Sequence, residues 1–251
     1  MDMYERIIRY WSIRAEDFSR CRVNELQSER REAWLCFFRE KVGDCRDRDL
    51  LDIGTGAGFF PILMDGYCRS ATGIDGSEDM LRHARANAGL FACRHTRFLC
   101  MDAQHPDFPD GSFDIATARN IVWTLPDAEA AYGEWFRLLR PGGWLLIFDA
   151  DYGRRFMREP SDDPYKEITE NEGSPFCPHM TKELIDERND YCRQLAVSRE
   201  ERPAWDVAAL RRCGFHHVQA EPHFRLDYHL DARARTQGAT SDMFLITAQK
   251  A

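Results

Sequence analysis

Apolar residues alternate along the chain between short unbroken runs and longer stretches in which they recur at helical spacing. An unbroken apolar run is typical of a buried strand, and apolar positions three and four residues apart are typical of a helix packed on a sheet. We therefore predict strands at DLLDIG, SATGID, TRFLCMD, SFDIATA, WLLIFDA, HHVQAEPHF and SDMFLITAQKA. Helical segments between them predict an α/β fold with a doubly wound, mostly parallel sheet of these seven strands.

Capping residues set the predicted bounds of the intervening helices. Pro61 falls in the first turn of a helix over FFPILMDGY. Ser77 is the predicted N-cap of the helix SEDMLRHARANAG, and Gly89 lies past its end. The helix PDAEAAYGEWFRLLRPGG is predicted to stop at Pro141, and PAWDVAALRRCGF is a later helix.

The segments outside this alternation divide one predicted domain, residues 1–251, into parts. Residues 1–48 are polar and Arg-rich with a helical pattern, which predicts a helical cap that stops at Gly43. Residues 49–152 form the core with the candidate binding loop, and residues 202–251 supply a helix and the last strands. Residues 153–201 interrupt the pattern with polar residues and prolines, which is typical of a functional loop or lid.

Composition excludes several classes of partner. The net charge is −8, from 42 acidic and 34 basic side chains, and no run of Lys or Arg forms a tail, so a nucleic-acid substrate is disfavoured. No apolar stretch of about 18 residues is present, which argues against a membrane span. The nine cysteines are scattered without a C-x-x-C pair, so we expect reduced thiols, a cytoplasmic location and no metal site.

The stretch LLDIGTGAGFFPI places Gly54, Gly56 and Gly58 between the first strand and the first helix of the sheet, where α/β folds bind ligands. It lacks the Lys of a phosphate loop. Phe59 stands where a dinucleotide loop needs its third glycine. Asp52, just before the loop, would repel a pyrophosphate and suit a cationic ligand. S-adenosylmethionine fits this preference, because it carries an ammonium and a sulfonium and no phosphate.

Four segments occur in an order that resembles a known family. They are LLDIGTGAG, GIDGSEDML, CMDAQHPDFPDGSFD and WFRLLRPGGWLLIFD. The chain thereby resembles the class I S-adenosylmethionine-dependent methyltransferases, broadly the ubiquinone/menaquinone-type small-molecule group. The resemblance implies a Rossmann-like sheet with an antiparallel last strand, S-adenosylmethionine as cofactor, S-adenosylhomocysteine as product and a small-molecule acceptor.

The resemblance also implies roles for particular residues. Asp75 would accept hydrogen bonds from both ribose hydroxyls, and Asp102 from the adenine amino group, with a turn or cap role as the alternative for each. Met80 would cover the adenine or belong to the core, and Asn120 would line the sulfonium or cap a helix. Arg119 would lie near the cofactor carboxylate or form a surface salt bridge. The predicted cofactor set is Trp11, Phe18, Asp52, Gly54, Thr55, Gly56, Gly58, Asp75, Gly76, Met80, Asp102, Ala103 and Asn120.

Methyl transfer from a sulfonium is an in-line displacement, so the protein mainly aligns the acceptor and excludes water. We find no catalytic triad. Asp149, Asp151 and Tyr152 leave the fifth strand at its carboxyl end and are predicted to face the acceptor, as a binding group or general base. Two alternatives stay open: a nicotinamide-dependent oxidoreductase, disfavoured by Asp52 and Phe59, and a cofactor-binding protein without catalysis. We expect a monomer or homodimer.

Overall fold

The computed structural model describes residues 1–157, 180–226 and 243–251. These residues form one sheet of seven strands in the order β3-β2-β1-β4-β5-β7-β6. The strands are β1 (Asp49–Ile53), β2 (Ser70–Asp75), β3 (Thr96–Cys100), β4 (Phe113–Arg119), β5 (Leu139–Ala150), β6 (Phe215–Glu221) and β7 (Met243–Lys250). Strand β7 runs antiparallel to both of its neighbours, and the pairs from β3 to β5 are parallel. The predicted fold class is confirmed.

Helices cover both faces of this sheet. They are α1 (Met3–Ile13), α2 (Ala15–Gln27), α3 (Arg30–Val42), α4 (Phe59–Met64), α5 (Glu78–Leu90), α6 (Ala128–Leu138), α7 (Tyr152–Met157), α8 (Lys182–Gln194) and α9 (Ala204–Arg212). Helices α1–α3 form the predicted N-terminal cap, and Gly43, with φ of 76°, ends α3 as predicted. None of the helices in the described ranges has the length and apolar character that crossing a membrane requires.

The unbroken apolar strands are explained by burial on both faces. Neighbouring residues of one strand, such as Leu50 and Leu51 in β1, belong to different core clusters on opposite sides of the sheet. Trp135 of α6 lies in one cluster and Trp34 of α3 in the other, both almost fully buried. A strand covered on both faces gains from apolar residues at every position, which is why its sequence does not alternate.

Two predicted helix ends are wrong by a few residues. Helix α6 ends at Leu138, before the predicted stop at Pro141, because β5 already pairs with β4 at Leu139 and a bulge absorbs the prolyl and glycyl residues before pairing resumes at Trp144. Helix α5 runs to Leu90, so Gly89 lies inside its last turn and not past its end. The left-handed position after that helix is taken by Ala92, with φ of 54°.

The predicted insertion is described only from residue 180 onward, and residues 158–179 lie outside the described ranges. Within it, α8 contacts the N-terminal cap. Arg6 of α1 donates to Glu187 at 2.8 and 3.0 Å and to Asp190 at 2.6 Å, and the rings of Tyr10 and Tyr191 meet edge to face at 5.7 Å. Helix α1 therefore packs against α8 on one side, and its other side faces the carboxyl-end edge of the sheet.

Candidate functional site

A cavity of about 640 Å³, including its part open to solvent, lies at the carboxyl ends of β1, β2 and β4. Ten of the predicted cofactor residues line it: Trp11, Phe18, Gly54, Gly56, Asp75, Gly76, Met80, Asp102, Ala103 and Asn120. The other lining residues are Tyr4, Ile7, Ile8, Arg119, Ile121, Thr124, Leu125 and Pro126. Residues far apart in the chain therefore meet at the edge where parallel sheets bind ligands.

The glycine loop brings its backbone against this cavity. Gly54 and Gly56 have φ of 66° and 53°, in the left-handed region that favours glycine. A side chain at Gly54 would overlap Ile121, and a Cβ at Gly56 would lie 3.4 Å from the Phe18 ring, across the cavity. Gly58 is the N-cap of α4 and does not line the cavity among the described residues, so its place in the loop is structural.

Asp75 is held at the end of β2 by backbone donors. Its Oδ2 accepts from Gly56 N at 2.8 Å and its Oδ1 from Ser77 N at 2.9 Å. Burial raises the pKa of this carboxyl to about 6, although the two amides favour the charged form. Ser77 also caps α5 as predicted, accepting from Met80 N at 3.2 Å. The carboxyl is thus fixed in direction, with lone pairs left for a ligand's hydroxyls.

Helix α1 closes the cavity over this carboxyl. A side chain at Gly76 would overlap Tyr4 and Ile8 of α1, and the hydroxyls of Ser12 and Ser77 are 2.8 Å apart. Trp11 meets Phe18 edge to face at 5.5 Å and Trp123 at 6.0 Å. Trp11 and Phe18, both in the predicted cofactor set, therefore form part of one wall of the cavity.

The far end of the cavity is formed by residues after β3 and by Met80. Asp102 Oδ1 accepts from Gln104 N at 2.9 Å, so this residue does stabilise a turn, the alternative considered for it. Its carboxylate lines the cavity as well. The carbonyl of Ala103 accepts from Trp135 Nε1 at 2.8 Å, which fixes the loop to the core. Met80 is 2% exposed and lines the same end, so core and cavity roles coexist.

Asp52 lies deeper than the sequence suggested. Its two oxygens accept from the hydroxyls of Thr55 and Thr117, both at 2.7 Å, and burial raises its pKa to about 7. Asp52 and Thr55 line a smaller adjoining cavity and not the larger one described above. The expectation that Asp52 presents a full negative charge to the ligand is weakened, because its proton is held more tightly than usual.

Asn120, the residue after β4, is in a strained conformation with φ of 55°. Its backbone N donates to Phe148 O at 2.8 Å, and its carbonyl accepts from Trp123 Nε1 at 3.1 Å. The following 3₁₀ turn, Val122–Thr124, has no side-chain cap, so the capping alternative for Asn120 is wrong. Its Oδ1 is buried without a hydrogen-bond partner among the described residues, which suits a ligand contact.

The sequence predicts that Asp149 faces the acceptor, but its side chain does not line the cavity. The side chain is fully buried, its Oδ2 accepts from Arg202 Nη2 at 3.2 Å and its Oδ1 from Ala150 N at 2.8 Å. Arg202, in the segment before α9, therefore pairs with the carboxylate that was predicted to face the substrate. Asp151 is half-buried with a pKa raised by burial, and the ring of Tyr152 lies 5.1 Å from that of Trp123. Both remain substrate-facing candidates, although neither lines the described cavities.

The comparisons with known proteins decide the family. The profile of a family described as a methyltransferase domain matches residues 51–147, from β1 into β5. Phosphatidylethanolamine N-methyltransferase of Cereibacter sphaeroides is 31% identical over 150 residues, which cover 59% of this chain and 68% of that enzyme. The chain belongs to the S-adenosylmethionine-dependent methyltransferases.

Other methyltransferases extend this result. Demethylmenaquinone methyltransferase of Lactococcus lactis is 28% identical over 199 residues, covering 76% of this chain and 75% of that enzyme. The uncharacterized methyltransferase YcgJ of Bacillus subtilis is 33% identical over 110 residues, which span only 43% of this chain and 44% of YcgJ. The crystal structure of YcgJ shares the fold, with a TM-score of 0.56 at 19% identity, covering 86% of this methyltransferase and 97% of that chain.

S-adenosylmethionine is the methyl donor of this family, and the described residues fit it. The cavity offers a fixed carboxyl at Asp75, an unpartnered acceptor at Asn120 and a glycine backbone open to close approach. Within the described ranges, no cluster of three or more His, Cys, Asp or Glu side chains is arranged to hold a metal ion.

Sequence reasoning missed several residues of the cavity wall in this methyltransferase. Tyr4, Ile7 and Ile8 line the cavity together with Trp11, and these four positions have the spacing of one helical face. That stripe was a usable signal. Arg22, which lines the smaller adjoining cavity, gave no comparable signal, because its position depends on contacts of α2 with distant parts of the chain, such as the ion pair of Glu25 with Arg119.

Proposed function

We propose that this protein transfers a methyl group from S-adenosylmethionine to a small-molecule acceptor in a site that α1 shields from water. The cavity at the sheet edge carries this proposal, because it gathers Asp75, Met80, Asp102 and Asn120 under the N-terminal helix.

The chain's own residues bind the cofactor and orient it. Asp75 accepts from the ribose hydroxyls, and Asp102 with the Ala103 backbone meets the adenine edge beside Met80. Asn120 and Asp52 accept from the cofactor's ammonium. The donor's sulfonium supplies an already activated methyl group, so alignment and exclusion of water are the main catalytic contributions of the protein. Asp151 and Tyr152 are the candidates for a general base where an acceptor must lose a proton.

We infer the acceptor only as a class. The two enzymes compared above are named for different acceptors, phosphatidylethanolamine and demethylmenaquinone, so relatives of one fold methylate unlike molecules. The net charge of −8 disfavours a nucleic acid. The cysteines that the structure describes are free thiols, which suits the cytoplasm, and we retain a monomer or homodimer as the assembly.

Turnover tests the proposal. Incubation with methyl-labelled S-adenosylmethionine and a set of amines, phenols, quinols and carboxylic acids is expected to release S-adenosylhomocysteine above the acceptor-free rate with at least one class. Mass spectrometry then shows the label on that acceptor. The Asp75→Ala variant serves as a matched control and is expected to be inactive at the same cofactor concentration. Binding of S-adenosylhomocysteine without turnover across the set would favour the non-catalytic alternative.

A further inference from the structure

A separate cavity lies toward the amino ends of β1 and β2, away from the edge of the sheet that carries the cofactor site. Its volume is about 940 Å³, including its part open to solvent. Two stretches of chain form much of its wall: the one from the end of α3 toward β1, and the one from the end of α4 toward β2. None of its lining residues lines the cofactor cavity. The residues that matter below are Arg39, Asp44, Cys45, Arg46, Met64 and Tyr67.

Two cysteines meet where these stretches touch. Cys45 lines the cavity, and Cys68 directly follows Tyr67 of the lining. Arg48 N donates to Cys45 O at 2.9 Å, and Arg69 N donates to Arg48 O at 3.0 Å, so the two backbones lie side by side. The Cys68 thiol donates a hydrogen bond to Cys45 Sγ. Thiols in mutual contact can be joined by a disulfide with little movement of the backbone.

The two thiols are not equivalent. The hydrogen bond from Cys68 lowers the pKa of Cys45 against the effect of burial, and the charge of Arg48 lowers it further. The same hydrogen bond, together with burial, raises the pKa of Cys68. Only Cys45 is in the cavity wall, with its Sγ 3.4 Å from Gly43 O. Because the thiolate is the nucleophile, Cys45 is the thiol that reacts with a molecule in the cavity, and Cys68 is the thiol behind it.

The charges around Cys45 favour an anion. Arg46 Nη2 pairs with Asp44 at 2.6 Å, and Arg39 has no ion pair with any of the described residues. The lining therefore keeps one positive charge in excess, and Arg48 adds a second close to Cys45. A wall of one sign raises the local concentration of molecules of the opposite sign.

We propose that Cys45 and Cys68 form a redox-active dithiol, and that the cavity admits to it a small disulfide that carries carboxylates. The Cys45 thiolate attacks one sulfur of that disulfide, whose S–S bond breaks; a mixed disulfide forms at Cys45 and the other half leaves as a thiolate. Cys68 then gives up its proton and attacks Cys45 Sγ, which forms the Cys45–Cys68 bond and releases the second half. Two protein thiols are oxidised, the small disulfide is reduced to two thiols, and the two cysteine protons pass to them.

Peptide mapping of the wild-type chain tests the dithiol directly. The reduced chain is incubated with oxidised glutathione, alkylated, and digested with trypsin in the absence of reductant. Trypsin places Cys45 in residues 42–46 and Cys68 in residues 49–69. Mass spectrometry is expected to find these two peptides joined, lighter than their sum by two hydrogen atoms, and separated again after dithiothreitol. Two unreacted cysteines, or two stable mixed disulfides with glutathione, would overturn the proposal. Because neither cofactor nor acceptor takes part, the result is independent of the proposed function.

A second probe tests the part played by charge. Cystamine is a disulfide that carries ammonium groups in place of carboxylates. At low ionic strength, oxidised glutathione is expected to join the two peptides about threefold or more faster than cystamine, and added salt should narrow the difference. Exposed Cys100 is an internal control, since burial and then the charges of Glu78 and Asp75 raise its pKa. It should prefer cystamine. Equal rates for the two probes at Cys45 would overturn the role of the cavity.

Variants test the order of attack. Cys68→Ala is expected to accumulate a mixed disulfide with glutathione at Cys45, and Cys45→Ala to leave Cys68 unmodified while the wild type is oxidised. Arg39→Gln should slow the reaction with glutathione by about threefold, and Arg31→Gln, on the same helix but outside the lining, should not. Melting temperatures confirm that each variant is folded. A Cys45→Ala chain whose Cys68 reacts as fast as the wild-type pair would contradict the assignment of Cys45 as the attacking thiol.

Discussion

Replacing Asp75 with alanine is expected to lower the affinity for S-adenosylhomocysteine by about a hundredfold or more. Its carboxyl lines the cavity, and backbone amides of Gly56 and Ser77 aim it from the end of β2. Two hydrogen bonds from ribose hydroxyls to a charged, partly desolvated acceptor contribute about 1.5 kcal/mol or more each. Their loss, about 3 kcal/mol, corresponds to roughly two powers of ten in the dissociation constant, measured by calorimetry.

Controls separate binding from folding in this prediction. Because Asp75→Ala also leaves the amides of Gly56 and Ser77 without their acceptor, its melting temperature is measured alongside. Asp75→Asn retains one acceptor oxygen and should bind with intermediate affinity. Asp79→Ala removes a carboxylate 41% exposed in the first turn of α5 and should leave the affinity unchanged. An Asp75→Ala affinity within about threefold of wild type would contradict the ribose assignment.

The pH dependence of binding gives a second readout of the same carboxyl. Burial raises the pKa of Asp75 to about 6, and the hydroxyls favour its charged form, so the affinity should rise as the pH increases from 5 to 7 and then level off. Asp75→Asn should lose this part of the profile. A fall in affinity over the same window would contradict the assignment. Asp52, with its pKa of about 7, would add a rise of the same sign near neutrality.

Replacing Arg202 with methionine is expected to destabilise the fold by about 3–5 kcal/mol. Arg202 Nη2 donates to Asp149 at 3.2 Å, and its Nε lies 3.0 Å from Asp206 Oδ2. The arginine side chain is 1% exposed, and both carboxylates are fully buried. Methionine fills a similar length without charge, so two carboxylates are left in the interior without their counter-ion. Urea unfolding measures the loss, and the melting temperature should fall by roughly 6–20 °C.

The matched control for this variant is Arg212→Met on α9. Arg212 pairs with Glu129 at 2.7 Å, but both side chains are about half exposed. The free energy of unfolding should therefore change by no more than about 0.5 kcal/mol. Lowering the pH should restore part of the stability of Arg202→Met. The reason is that burial raises the pKa of Asp149, to about 6 even with Arg202 present, and the native state takes up a proton before the unfolded chain does. A loss below about 1 kcal/mol at pH 8 would contradict the role of this ion pair.

The sheet was predictable from the sequence because each central strand is apolar on both faces. Leu145 and Leu146 of β5 face opposite core clusters. The run WLLIFDA is therefore continuously apolar and does not alternate between apolar and polar residues. The cofactor side of the site was predictable for a related reason. Gly54 and Asn120 each follow a parallel strand and Asp75 is the last residue of one, and the carboxyl ends of such strands meet at one edge.

What the sequence could not show are contacts between segments far apart in the chain. Asp149 looked available because its partner, Arg202, is 53 residues away and outside any motif. Asp52 looked charged because the Thr117 hydroxyl that it accepts from lies 65 residues downstream. Arg22 and Arg119 both donate to Glu25, and Arg119 is 94 positions from Glu25 in the chain, so no local pattern announces that contact.

The central claim is that the cavity beneath α1 binds the adenosine and amino-acid ends of S-adenosylmethionine and not a dinucleotide. Calorimetric titration of the wild-type chain with S-adenosylhomocysteine and, separately, with NAD⁺ tests it most directly. We predict saturable binding of S-adenosylhomocysteine at one site per chain and no heat of binding with NAD⁺. Binding of NAD⁺ in the absence of any affinity for S-adenosylhomocysteine would contradict the account.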